Sequence, residues 1–549
     1  MRALSPLERS KLLMNDAGNA RRLFDAAQGR LLWLADGGTG TGGGGKGAWI
    51  AFDGVRWSTD EGPARALALA QRAAAAIIEE AGALRDADDS DLRTVYGPKF
   101  TREMADKRVG ELWGWAVKSG DMTRINGMLG AFRGLRDYEA AADEAPFVTQ
   151  AWTRDFDADP LAYHCSNGTL RFFESAPGQW DFRFEPGHRA ADRFMQVASV
   201  AYDAAAMASA WTARLEVMHR DPVQRTAIQR IYGMGLTQLI SDQAFYIFQG
   251  KGQDGKSVTN DVMVKLHGVY ARRADPKTFL EGPSQASASH QSDIVRLAGD
   301  IRLVVADEPK KGSTWDGQRI KQATGSEMIA RGAHATTELS FVPHWQLVFE
   351  CNHLPRPPSD DRGFRRRFKL YPWVVQFGVT PGVPDEPVDV VKTRLMGELS
   401  GILNWMIAGC IAWLNERVIP QPAAAAAATA SFWDVSSALG EFIEQCCDVS
   451  DPDARTEATP LYQAFRQFCI DRGDKEDRIM TQTTFGRALN DAQIYAAPNH
   501  VTKKKERIGI RLKAAGESVG GGSGETGGRL DQWLPPQADG DGFDPFGAP

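Results

Sequence analysis

The chain has 549 residues, of which 43% are apolar and 24% charged, and its formal net charge is -6. That length exceeds one ordinary core and predicts roughly three or four domains. The near balance of charge excludes a globally basic nucleic-acid binder, so any basic surface has to be local. Six cysteines without a CxxC pair, and nine histidines away from them, point to a reduced intracellular setting without structural zinc.

The N-terminus is charged throughout and lacks the apolar stretch of a signal peptide. "RLLWLAD" and "AWIAFDGVRW" then flank the glycine-rich run Gly38 to Gly47, which predicts a strand pair joined by a loop. Helical spacing follows in "ARALALAQRAAAAIIEEAGAL" and in "REMADKRVGELWGWAVKSGDMTRINGMLGAFRGL". Short strands with turn signals are expected from about Pro160 to Asp203, and helices again in "AWTARLEVMHRDPVQRTAIQRIYGMGLTQLI". That segment leads into the apolar strand "AFYIFQ" and the motif "GKGQDGKS", Gly250 to Ser257.

A phosphate loop needs a strand, glycines that turn backbone N–H groups toward the ligand, and a helix N-terminus. Gly250 to Ser257 has all three. Gly250, Gly252 and Gly255 allow the turn around Asp254, Lys256 suits the β and γ phosphates, Ser257 suits Mg²⁺, and Val258 continues into the helix "SVTNDVMVKL". The similar run Gly40 to Lys46 also spells GxxxxGK, but Gly47 stands where a metal-binding hydroxyl belongs and a strand follows, so it reads as a hairpin loop.

The apolar strand "DIRLVVADEP" ends in Asp307, suited to hold Mg²⁺, and Glu308, suited to orient or deprotonate water. "WQLVFECNHLP" ends in Asn352, a neutral amide able to hold the water or the γ-phosphate. "DRGFRRRF" then gathers Arg365, Arg366 and Arg367, which read either as a solvated cluster or as a source of an arginine acting on a neighbouring subunit's phosphates. The apolar run "GILNWMIAGCIAWLNERV" is short for a bilayer span and reads as a buried helix. The alanine tract Ala423 to Ala430 reads as helix or linker, and the Gly-, Pro- and acid-rich end as disordered.

With these pieces in order, the chain resembles superfamily 3 helicases of the AAA+ class, and more narrowly the helicase half of phage and plasmid primase-helicases related to the poxvirus primase-NTPase. "NDAGNARRLF", "FDGVRW" and "CSNGTLRFF" resemble the family's N-terminal helicase-associated domain. "LAGDIRLVVADEP", "IKQATGSEMIARGAHATTELSFVPHWQLVFECNHLP" and "DDRGFRRRF" resemble its Walker B, B-prime, sensor and arginine motifs. "LYQAFRQFCIDRGD", "TTFGRALND" and "KKKERIGIRL" resemble a winged-helix tail. Asp254 departs from the family's usual Asn, "TGSE" departs from "TGGD", and no primase signature precedes the helicase motifs.

The resemblance implies an α/β fold: a P-loop AAA+ three-layer αβα core at 216–375, an α+β N-terminal domain at 1–215, a helical lid or linker at 376–435, a winged helix at 436–513 and a tail at 514–549. It implies an ATP- and Mg²⁺-dependent DNA helicase of a phage, plasmid or other mobile element in a bacterial host cytoplasm. Such a chain forms a ring, most often a hexamer, holds ATP between subunits and moves 3′ to 5′ on single-stranded DNA. Lys256, Glu308, Asn352, Arg366 and Arg367 are then the candidate catalytic residues. The family's DNA-contacting hairpin maps onto "ARGAHATTELSF", which makes Arg331 and His334 candidates, with Lys321 beside them; His334 reads equally well as a surface-loop histidine.

In the last module Lys503, Lys504, Lys505, Arg507, Arg511 and Lys513 suit a wing laid along a phosphate backbone, or a solvated basic strand. The tail suits docking on a separate primase or single-stranded-DNA-binding protein, or simply solubilises the chain. The alternative function is an ATP-switched DNA-binding initiator that does not unwind. A small-molecule kinase would leave the B-prime and arginine segments without a role.

Overall fold

The computed structural model describes residues 4–37, 47–135, 149–240, 243–282, 293–330, 339–358, 361–435, 438–474, 476, 479–492, 494–498 and 505–513. Helix Asp16–Ala27 starts where the Asn15 side chain accepts the Gly18 N–H at 2.8 Å, a local cap for one of the free donors of its first turn. Strands β1 (Leu31–Leu34), β2 (Ala48–Phe52), β3 (Trp57–Ser58) and β4 (Gln150–Ala151) form a sheet in the order β3-β2-β1-β4. β1 and β2 are antiparallel, as their alternating apolar runs predict, although the glycine-rich run at 38–46 between them lies outside the described residues. Five helices between Gly62 and Phe132 pack beside this sheet, and buried Arg22 bridges to buried Glu80 at 2.8 Å to tie helix Asp16–Ala27 to one of them, Ile77–Asp86.

β5 (Ala162–Cys165), β6 (Gly168–Ala176) and β7 (Gln179–Pro186) form an antiparallel meander. Helices Ser209–Met218 and Pro222–Met234 follow, the second opened by Pro222 behind an Asp221 cap. The central sheet contains β8 (Phe245–Gly250), β9 (Ala271–Ala274) and β10 (Leu303–Ala306). A hairpin of β11 (Met328–Ala330) and β12 (Leu339–Phe341) precedes its last members, β13 (Gln346–Cys351) and β14 (Phe368–Trp373). The order is β14-β8-β13-β10-β9, and every pair is parallel.

A parallel sheet has to be covered on both faces, and the period-two alternation of its strands shows how this one is. Tyr246, Phe248, Val305 and Val348 face helices Pro222–Met234, Lys256–His267 and Leu399–Glu416. Phe245, Ile247, Val304, Leu347 and Phe349 face the side of helices Gly317–Ala323, Arg362–Arg367 and Ala423–Val435. The apolar run after Ser400 is thus a buried helix. It approaches Pro222–Met234 so closely that a Cβ on Gly233 would fall 2.5 Å from the Cys410 nitrogen. The alanine tract is helical too, and its Phe432 ring stacks on Phe368 with centroids 4.5 Å apart. Among the described residues no single helix is long and apolar enough to cross a membrane, and the pair Val388–Met396 and Leu399–Glu416 is bent by 72°.

Packing divides the chain earlier than the sequence suggests. Tyr163, Cys165, Leu170 and Phe172 share one apolar cluster with the central sheet, so β5 to β7 join the core rather than the N-terminal unit. The C-terminal module has its own core around Phe442, Leu461, Phe465, Phe485, Leu489 and Ile510. Its helices Ala438–Cys446, Ala458–Asp471 and Gln482–Asp491 pack beside β15 (Cys447–Asp448), β16 (Arg455–Glu457), β17 (Ala496–Pro498), β18 (Lys505–Ile508) and β19 (Arg511–Leu512). The continuous strand expected over "RIGIRL" is broken by Gly509 at φ 76, so that Ile510 turns inward between β18 and β19.

Candidate functional site

β8 delivers the chain to a tight turn at the carboxyl ends of the parallel strands, the position at which open α/β sheets present their ligand crevices. Gly252 (φ 91) and Gly255 (φ 83) adopt backbone that favours glycine, and Gln253 is held at φ 54. A Cβ on Gly250 would lie 2.0 Å from Asp254 Oδ2 and 2.7 Å from the Trp373 carbonyl, so only glycine lets the loop close. Helix Lys256–His267 begins directly after Gly255 without a side-chain cap, leaving its first-turn N–H groups toward the loop.

Asp254 and Lys256 are both about 4% exposed. The Asp254 carboxylate accepts the Gly252 N–H at 3.1 Å and the Lys256 N–H at 3.2 Å, and it pairs with the Lys256 ammonium. Lys256 Nζ also donates to Asn352 Oδ1 at 3.2 Å. Asn352 in turn donates its side-chain N–H to Glu308 Oε2 at 2.8 Å and its backbone N–H to Glu308 Oε1 at 3.3 Å. Val258 is buried one turn into the helix. Three separated stretches of sequence thus meet at one edge of the sheet.

The residues predicted to face a metal meet there as well. Ser257 donates its hydroxyl to Glu350, a 7%-exposed carboxylate on β13. Arg273, at the end of β9, contacts Asp307 Oδ1 at 2.6 Å and Glu350 Oε1 at 3.4 Å, and pairs with Asp261. Asp261 also binds Lys392 of helix Val388–Met396 at 2.5 Å. Burial pulls the Arg273 pKa down, but the surrounding carboxylates outweigh it and hold the guanidinium above its ordinary value. A cavity of about 630 Å³ opens beside this cluster; Arg273, Lys277, Asp307, Glu308 and Lys310 help to line it.

Glu350 and Arg273 escape a motif reading because their partners are distant in sequence. The only local signal for Glu350 is an acid inside the apolar strand "QLVFEC". Such a buried charge calls for a partner.

Other predicted residues lie elsewhere. Arg366 and Arg367 end helix Arg362–Arg367 at the start of β14, whose six residues at about 3.3 Å each set them about 17–20 Å from the carboxyl end of the sheet. Arg366 is exposed and donates to Gln243 Oε1 at 2.8 Å. Arg367 is buried, donating to Thr324 Oγ1 at 3.0 Å, the Gly363 carbonyl at 2.9 Å and Gln243 Oε1 at 2.8 Å. It is a strut within its own chain, which corrects its assignment as an arginine reaching a neighbour. Lys321 forms an ion pair with Asp361 at 2.5 Å.

Arg507 is also corrected. It is 4% exposed and donates to Asn490 Oδ1, to the Ile494 carbonyl at 3.0 Å and to the Gly486 carbonyl at 2.8 Å, so it clamps β18 to helix Gln482–Asp491 rather than facing DNA. Arg511 is engaged by Asp448, while Lys505 is exposed. Arg331, His334, Lys503 and Lys504 lie outside the described residues, as does the tail from 514.

Residues 39–220 match the family model described as D5 N terminal like. Viral proteins named as helicases are among the chain's homologues. The chain is 29% identical over 240 residues to "Putative helicase 022R" of Frog virus 3 (isolate Goorha), covering 41% of this chain and 24% of the viral one. It is 28% identical over 163 residues to "Putative helicase L207/L206" of Acanthamoeba polyphaga mimivirus, covering 30% and 17%. It therefore spans about a quarter or less of the length of these curated relatives. Among solved structures, the apo C terminal region of NrS-1 aligns over 63% of this chain and 84% of that one, with 12% identity and a TM-score of 0.34.

Proposed function

We propose that the chain is an ATP-dependent DNA helicase of a phage, plasmid or other mobile element, built on a P-loop AAA+ core with a C-terminal winged helix. The observation that carries this reading is the meeting of Lys256, Ser257, Asp307, Glu308 and Asn352 at the carboxyl edge of one parallel sheet. The residues fit a nucleoside triphosphate with a divalent cation. The loop already directs two backbone N–H groups and a lysine at one carboxylate, and a serine hydroxyl lies among acids on the adjacent strands.

ATP with Mg²⁺ would supply the phosphoryl group whose transfer to water releases the driving energy. Lys256 and the N–H groups of the turn neutralise the phosphate charge that grows in the transition state. Ser257 Oγ and the Asp307 carboxylate hold the metal side, with Arg273 giving up its hold on Asp307. Glu308, released from Asn352, accepts a proton from the attacking water at a carboxylate oxygen, and Asn352 orients that water. Arg366, exposed at the far end of the sheet, acts on the site of a neighbouring subunit in a ring, most simply a hexamer, that moves 3′ to 5′ on single-stranded DNA. Lys505 and the adjoining basic run contribute sequence-independent contacts to the DNA backbone.

The test is strand separation on a forked DNA with a 3′ single-stranded arm, for the full chain and for Lys256→Ala. ATP-dependent separation by the wild type and none by the variant supports the helicase. The engagement of Glu308 by Asn352 favours a second reading, an ATP-switched DNA-binding initiator. Nucleotide-dependent DNA binding without separation on any fork would replace the first reading by that one.

A further inference from the structure

We propose that Asp254 is an internal anion that occupies the phosphate position of the loop and sets its nucleotide affinity, so that a ligand's phosphate enters by displacing the Asp254 carboxylate from Lys256. The proposal rests on the nucleotide reading of this loop and adds to it a residue that opposes binding.

The carboxylate uses the donors a phosphate would need. It accepts the N–H groups of Gly252 and Lys256 at 3.1 and 3.2 Å and pairs with the Lys256 ammonium. Both side chains are almost fully buried. Their mutual attraction is therefore little screened, and separating them without a replacement leaves an unpaired buried charge on each. A phosphate restores the partner of Lys256 but leaves Asp254 beside a second anion, so the aspartate has to swing away from the loop. The ligand's measured affinity is lowered by that cost.

The loop does not depend on this carboxylate for its shape. On its other side Gln376 Nε2 donates to the Gly252 carbonyl at 3.0 Å, and the Phe377 N–H donates to the Gln253 carbonyl at 2.8 Å. The contact with Gly250 is steric and remains for a side chain of the same shape. Asparagine keeps that shape and one oxygen acceptor while removing the charge and turning the second acceptor into an N–H donor. Asp254→Asn therefore separates the charge from the fold.

The experiment measures equilibrium binding of ATP, tripolyphosphate and adenosine to the full chain and to Asp254→Asn, Asp254→Ser and Asp254→Asn/Lys256→Ala, with the melting temperature of each. The expected result is that Asp254→Asn binds ATP and tripolyphosphate about tenfold or more tightly, as removal of a competing buried charge implies. Asp254→Ser should follow in the same direction, adenosine affinity should stay the same, and the double variant should lose the gain. Unchanged or weaker phosphate binding in both single variants, at wild-type melting temperature, overturns the proposal while leaving the nucleotide site standing. An equal gain for adenosine also overturns it, because that marks general loosening. Absence of ATP binding in every protein overturns the nucleotide reading itself.

Discussion

The two ends of the central sheet use charge in opposite ways. At the carboxyl end, Asp254, Lys256, Asn352 and Glu308 form one series of polar contacts and Arg273 and Asp307 a separate pair, beside an open cavity of about 630 Å³. At the amino end, charges are struts. Arg302, fully buried, is paired with Asp300 and donates to the Ala162 carbonyl at 3.1 Å, which ties β10 to the β5–β7 meander. Arg367 fastens its helix to Thr324 and Gln243. A charge whose partners can be replaced by a ligand suits chemistry, and one whose partners are main-chain carbonyls and neighbouring helices suits stability.

Substitutions should therefore separate into turnover effects at one end and stability effects at the other. The largest expected effect is that of Lys256→Ala, which should lower ATP kcat/KM by about 100-fold or more in protein still folded at the assay temperature, through lost stabilisation of phosphate charge, and should also lower the melting temperature because buried Asp254 loses its partner. A fall in stability that accounts for the lost activity would break the contrast. Glu308→Gln should lower kcat by about 100-fold and leave ATP affinity near wild type, because it removes a proton acceptor and no phosphate contact. A matching loss of affinity, read by direct ATP titration, would move Glu308 to a binding role.

The arginine pair sharpens the comparison within six residues of helix. Arg367→Ala should destabilise the fold by about 2 kcal/mol, since it leaves buried acceptors without their donor. Arg366→Ala should melt like the wild type and lose turnover through a neighbouring subunit. Mixing Arg366→Ala chains with Lys256→Ala chains checks this, because a site shared between subunits recovers some activity in mixed rings and a site within one chain recovers none.

The smallest effect concerns Asp157, which is half-buried near Asp300 and accepts the Met195 and Gln196 N–H groups at 3.0 and 3.4 Å. Burial, aided by the Asp300 charge, pushes its pKa up from 3.8 to about 7. The folded protein thus holds a proton that the unfolded chain releases between about pH 4 and 7, so this group's contribution to stability falls as pH rises through that window. Asp157→Asn should flatten that slope and raise the melting temperature at pH 8 by a few degrees, with little change at pH 4. The asparagine also tolerates the backbone at φ 48. An unchanged slope would show that Asp157 is ionised throughout.

Much of this contrast was legible in the sequence where a local signal carried it. β8, β10 and β13 are apolar runs ending in Gly250, Asp307 and Asn352, and the glycines of "GKGQDGKS" announce a turn whose backbone needs them. What required three dimensions was the direction of each charge. Nothing near "ARRAD" says that Arg273 will bridge strands, because its partners Asp307 and Glu350 arrive from two others. Arg507 looked like surface in a basic run, yet the pleat of β18 turns it onto Asn490 and Gly486. Arg366 and Arg367 are adjacent in sequence and both reach Gln243, yet Arg366 stays exposed while Arg367 is buried against Thr324 and the Gly363 carbonyl.

The central claim is that the carboxyl end of the sheet hydrolyses ATP in response to DNA. It is tested most directly by the steady-state ATPase rate of the full chain with and without single-stranded DNA, alongside Lys256→Ala. The account predicts Mg²⁺-dependent hydrolysis that rises on adding single strands and is lost in the variant. Hydrolysis that is absent from the wild type under both conditions, or that survives Lys256→Ala, would contradict it.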